Sequence, residues 1–113
     1  MNNDPAAMAE RVDAARESEF WRQNWLDRRY AQGDFNYEQD WSPAYRYGVD
    51  AFARHPGQRY EDIEGELSRG WADARAKSRL TWDHARHAVR DAWQRVSAAV
   101  ERALPGDADR DGR

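Results

Sequence analysis

An all-α domain is the fold class expected here, and three observations lead to it. Apolar residues recur at helical spacing in four stretches, and turn-forming residues separate those stretches. Six Trp, five Tyr and three Phe supply large core pieces to an otherwise polar chain. Finally, two of the stretches resemble each other in where their aromatic, apolar and small residues fall. At 113 residues the chain suits one domain with one core. With 40% hydrophobic and 35% charged residues it would suit a disordered chain if aromatics were scarce, and they are not.

The first segment is helix-prone from Pro5 to about Arg29, but its apolar face rotates. Met8, Val12 and Ala15 point one way, whereas Trp21 and Trp25 point about 120° away at about 100° per residue. This divides it into a loosely anchored arm, residues 1–19, and a half from Phe20 that docks on the domain. Residues 31–41, AQGDFNYEQDW, read as a loop whose Phe35, Tyr37 and Trp41 pack over the helices. A short helix over 43–54 follows, capped by Ser42, with Pro43 at its first position and a stripe of Tyr45, Gly48, Val49 and Phe52 in which Gly48 allows a close crossing. His55-Pro56-Gly57 ends it.

The third helix runs from Tyr60 to about Lys77, with Tyr60, Ile63, Leu67, Gly70, Trp71 and Ala74 on one stripe. Acidic residues at its start and basic ones at its end match the helix dipole, although Arg59 is a poor cap. The fourth is capped by Thr81 and places Trp82, Val89, Trp93, Val96, Val100 and Leu104 along one face. Pro105-Gly106 stops it, and residues 105–113 are expected to be a disordered tail. Residues 20–104 thus form the single helical domain.

YEDIEGELSRGW (60–71) aligns without gaps on WDHARHAVRDAW (82–93). Aromatics fall at both ends, Leu67 matches Val89, and the small residues Gly70 and Ala92 each precede a tryptophan. The match predicts an antiparallel helical hairpin over 60–104, lined by Trp71, Trp82 and Trp93 and drawn together at Gly70 and Ala92. The 43–54 helix and the N-terminal helix, through Trp21 and Trp25, pack on it.

With the segments placed, WRQNW (21–25), YEQDWSPAYRYG (37–48), RYEDIEGELSRGW (59–71) and TWDHARHAVRDAW (81–93) together resemble a family of small bacterial proteins with a PAYRYG motif followed by two Trp-bearing helices. The similarity covers roughly residues 20–96. It implies an association with general-stress proteins and no known catalytic activity, so it brings no catalytic residues with it.

The net charge of −3 gives no global attraction to nucleic acid or acidic membranes, and without cysteine there is no thiolate chemistry. MNNDPAAMAERVDAARE has no apolar signal core and no run reaches spanning length, so a cytoplasmic protein is expected. Two histidines, His84 and His87, hint at a metal. On the helical wheel, however, they lie opposite Trp82, Val89 and Trp93, beside Asp91, where at most a weak surface chelate would form. No metal, cofactor or catalytic group is therefore expected.

Arg28, Arg29, Arg46, Arg54 and Arg59 among Tyr30, Tyr45, Tyr47 and Tyr60 permit a nucleic-acid-binding reading of region 28–60, which the interspersed carboxylates disfavour. A small ligand among the aromatics is a further alternative. The preferred reading is a non-enzymatic, stress-associated interaction or scaffold protein. Arg46, Tyr47, Arg54 and Arg59 are its candidate interaction surface and a second copy its expected partner. Met8, Val12, Ala14 and Ala15 form a stripe too small to hold residues 1–17 on their own domain, so that stripe and the Trp25–Leu26 region are expected to meet between copies.

Overall fold

A computed structural model describes residues 13–31, 33–55 and 57–103, with residues 102 and 103 described through their backbone alone. Four α-helices and two short helical turns account for most of them, and no strand occurs among the described residues. Helix α1 is Ala14–Asn24, α2 Ser42–Arg54, α3 Tyr60–Ala74 and α4 Trp82–Ala103. None of these is long and apolar enough to cross a membrane.

Asp13 begins α1 in extended conformation, its carboxylate accepting the amides of Ala15 and Arg16 at 3.1 Å. The helix buries Glu17 and Trp21, one turn apart. The division expected between residues 19 and 20 therefore falls inside a continuous helix. Its cause is polar: Arg95 on α4 donates to Glu17 Oε1 at 2.7 Å and carries the docking face one turn back from Trp21. An apolar stripe does not reveal such a contact. Residues 1–12, with Met8 and Val12 of the stripe expected to self-associate, and residues 104–113, which include the expected 105–113 tail, lie outside the described residues, while Ala14 and Ala15 of that stripe are exposed on α1.

The stretch expected to be a loop is partly helical. Tyr37–Trp41 forms one wide turn that runs straight into α2, burying Tyr37, Asp40 and Trp41. Asn36, not Ser42, starts this unit: its side chain accepts the Gln39 amide at 2.7 Å, while the buried Asp40 carboxylate accepts the Asn36 amide at 2.9 Å. Ser42 is buried as the first residue of α2, and Pro43 costs nothing this near the helix start.

Helix α3 begins at Tyr60 with Arg59 making no side-chain cap, and it stops at Ala74 rather than Lys77. Ala76 turns the chain left-handed at φ 53°, which ends the helical path before the basic residues are used. The carbonyl of Thr81 accepts the amides of His84 and Ala85, so α4 starts where expected.

α3 and α4 are antiparallel neighbours, with Tyr60 edge-on to Trp93 (5.7 Å) and Trp71 beside Trp82 (6.4 Å). Their closest approach, however, is not at Gly70 and Ala92. Gly48 of α2 lies against α4 so tightly that a methyl group there would stand 2.3 Å from the Val89 carbonyl oxygen and 2.9 Å from Ala92 Cβ. Gly70 instead makes room for the Tyr47 hydroxyl, which would be 2.6 Å from a methyl at that position. α4 is thus the central helix, crossed closely by α2, with α3 spaced from it by large aromatic rings. Trp21, Tyr45, Phe52, Leu67, Trp71, Val89 and Trp93 are buried as expected, whereas Trp25 and Trp82 are half-buried at its edges.

Candidate functional site

The four residues expected to share one surface are spread over three. Arg46 is exposed beside a small α1–α2 groove lined by Trp21, Tyr45 and Val49. Tyr47 and Arg54 line the α2–α3 cleft with His55, Glu66 and Asp73. Tyr47 is a brace there: its hydroxyl donates to the Leu67 carbonyl at 2.9 Å, its ring packs 5.6 Å from Trp71, and burial pushes its pKa up. Arg59 stands on the rim of a third and larger concavity.

That groove, of about 490 Å³, lies between the 57–59 turn, the start of α3 and the last turns of α4. Phe52, Trp93 and Val100 line its apolar side, and Arg59, Glu61 and Glu101 bring charges of both signs to it. It exists because α4 continues past Trp93 while α2 ends at Arg54 and α3 begins at Tyr60, leaving the helix unmatched on that side.

At the other end of the molecule the polar groups are closed on one another. Asp40 is fully buried and accepts from the Arg79 amide (2.8 Å), the Arg79 guanidinium (2.5 Å) and the Asn36 amide. Ser78 Oγ donates to the Asp40 carbonyl at 2.7 Å, so one acidic residue fastens the wide turn before α2 to the α3–α4 connection. Burial acts on this carboxyl most strongly and upward. The Arg79 side chain, the Arg79 amide and the Asn36 amide together outweigh it and hold the pKa below its ordinary value.

A second cluster joins the 28–30 segment to α2 and α4. Tyr30 donates to Asp91 Oδ2 at 2.5 Å, and Arg28 Nη1 stands 3.3 Å from the same oxygen. Because the Tyr30 proton points at Asp91, the 2.9 Å contact with Tyr45 must be donated by Tyr45. Burial first, and then the bond to Asp91, push the Tyr30 pKa far up.

His87 is exposed and stacks on the Tyr30 ring at 5.4 Å, while His84 faces Phe35 at 5.6 Å and stands 3.1 Å from the Thr81 hydroxyl. The Asp91 carboxylate beside them is committed to Tyr30 and Arg28. Among the described residues no group of three His, Asp or Glu side chains is arranged to hold a metal ion.

Sequence reasoning missed Glu17, Asp40 and Asp91 as organising residues. Each finds its partner more than 35 residues away in the chain, at |i−j| of 78, 39 and 61. Local spacing carries no signal for such pairs. No family model matches the chain, and no curated protein or solved structure is significantly similar to it.

Proposed function

We infer that this chain is a non-enzymatic cytoplasmic interaction protein that pairs with a second copy of itself through the groove at the end of α4. The groove is the observation that carries the reading. The half-buried Val100 and the edges of the buried Phe52 and Trp93 form its apolar floor, with no helix laid over it among the described residues, and an apolar concavity edged by polar groups is the ordinary form of a recognition surface. Its charges favour a like partner over a strongly basic or acidic one. Arg59, 3.8 Å from Glu61, lines it from the 57–59 turn and Glu101 from the end of α4, so a two-fold arrangement can set the arginine of each copy against the glutamate of the other. A groove this size is the centre of an interface, and flanking surfaces must add area to reach the roughly 1,200–2,000 Å² of a stable one.

Several arginines are already committed within the chain, Arg28 to Asp91, Arg79 to Asp40 and Arg95 to Glu17, which supports a protein partner over nucleic acid. The PAYRYG resemblance adds a stress-associated setting to the same reading.

Light scattering and sedimentation over a wide concentration range test it. We expect a reversible monomer–dimer equilibrium, weakened by Arg59→Glu or Glu101→Arg alone and restored when the two are combined. A constant monomeric mass overturns the proposal, including one in which residues 104–113 of the same chain are found cross-linked into the groove.

A further inference from the structure

The buried aromatic rings form a connected series, and its members differ in one chemical respect. From the half-buried Trp25 the next ring is the fully buried Trp41, with centroids 6.5 Å apart, and from Trp41 the next is Tyr30, 5.5 Å away. Tyr45 is hydrogen-bonded to Tyr30, and Trp21 stacks on Tyr45 at 4.4 Å with the planes 4° apart. Spacings of this size are short for electron transfer between rings. The indole N–H of Trp41 and that of Trp21 are buried without an acceptor among the described residues. An electron removed from either leaves a radical cation with no proton acceptor placed for it among the described residues.

Tyr30 is different, because its hydroxyl proton already points at the Asp91 carboxylate. Tyr37 and Tyr47 donate to the carbonyls of Ser18 and Leu67, which are poor bases, and Tyr60 has no partner among the described residues. A phenol is oxidised readily only if it loses its proton along with its electron. The elevated pKa of Tyr30 excludes a standing phenolate, which leaves a coupled loss to the neighbouring carboxylate.

We propose that Tyr30, with Asp91 as its proton acceptor and Trp41 and Trp25 as its electron path, is a redox-active tyrosine that reduces strong one-electron oxidants reaching Trp25. The oxidant takes one electron from Trp25 and is reduced by one unit. Trp41 refills Trp25, and Tyr30 refills Trp41. As the Tyr30 electron leaves, its O–H bond breaks and the proton passes to Asp91 Oδ2, giving a neutral phenoxyl radical and a carboxylic acid. The hydrogen bond from Tyr45 then falls on the phenoxyl oxygen and stabilises it. Arg28, released from a charged partner, remains solvated at the surface. This activity is independent of pairing between copies.

The experiment oxidises the full-length protein with photogenerated tris-bipyridyl ruthenium in its trivalent state and follows the radical by transient absorption and electron paramagnetic resonance. The wild type is expected to give a tyrosyl radical whose appearance slows in deuterated solvent. Tyr30→Phe should replace that signal with a tryptophanyl radical, and Asp91→Asn should remove most of the tyrosyl yield, whereas Tyr47→Phe should retain it. Near-ultraviolet circular dichroism checks that each variant is folded. A tyrosyl yield unchanged in Tyr30→Phe, or unchanged in Asp91→Asn, overturns the proposal. The wild type decides without any variant: no tyrosyl signal, or one formed equally fast in deuterated solvent, overturns it as well.

Discussion

Gly48 lies where α2 crosses α4, and the space for a methyl group is already taken by the Val89 carbonyl and Ala92. Backbone cannot move aside as a flexible side chain can, so Gly48→Ala has to push the two helices apart. We expect a loss of roughly 1–3 kcal/mol in urea unfolding, against a small gain if the position were an ordinary helical glycine. Asp40 sets a second expectation. Its folded pKa lies below the ordinary value, so the stability it contributes is complete above about pH 4 and is lost as the pH falls through the folded value. Asp40→Asn should cost about 1–3 kcal/mol at neutral pH, because the Arg79 and Asn36 donors lose a charged acceptor, and should flatten the acid limb of the stability profile. A wild-type-like acid limb in this variant would show that other carboxylates control it.

The helices meet through two kinds of contact, close backbone crossing for α2 on α4 and large rings for α3 on α4. Trp71 serves the second kind with both its surface and its N–H, which donates to the Leu80 carbonyl at 2.9 Å. Trp93 takes Phe52 and Tyr60 edge-on at 5.3 and 5.7 Å, tying both neighbouring helices to α4. Truncation of either to Ala is expected to cost about 3–5 kcal/mol, measured by chemical denaturation, a large part of the stability of a domain this small. Cooperative melting near the wild-type midpoint in both variants would contradict this account of how α3 is held. α1 depends on fewer contacts, chiefly Trp21 on Tyr45 and the Glu17–Arg95 pair, with Arg95 also 3.5 Å above the Phe20 ring.

For the whole molecule, the tyrosines make alkaline pH the effective destabilising condition. Burial is the main cause that pushes Tyr30, Tyr45 and Tyr60 above their ordinary value of 10.0. A raised folded pKa means the fold holds the neutral phenol, so this contribution is intact below about pH 10 and is lost as the pH rises beyond it. We expect alkaline unfolding in which tyrosinate absorbance appears together with loss of the near-ultraviolet tryptophan signal. Tyrosinate formed in a protein that keeps its tryptophan signal would mean these phenols are reachable without unfolding.

The sequence by itself determined the helices that depend on local period. Tyr60, Ile63, Leu67 and Trp71, or Val89, Trp93 and Val96, fall on one face whatever lies opposite, and the start of α4 at Thr81 is equally local. It also placed Gly48 at a close crossing, because no other residue of the α2 stripe lacks a side chain. Tertiary structure decided which surfaces meet. The gapless match of 60–71 with 82–93 suggested that Gly70 and Ala92 face each other, yet Ala92 receives Gly48 and Gly70 receives the Tyr47 hydroxyl. It likewise folded Tyr37–Trp41 into a turn around Asp40, drew Glu17 inward, and separated Arg46, Tyr47, Arg54 and Arg59 onto three surfaces. The physical reason is the same in each case. Apolar burial repeats with the helix and can be read along the chain, whereas a carboxylate finding an arginine, or a glycine finding a backbone, depends on a partner that only the folded packing brings near.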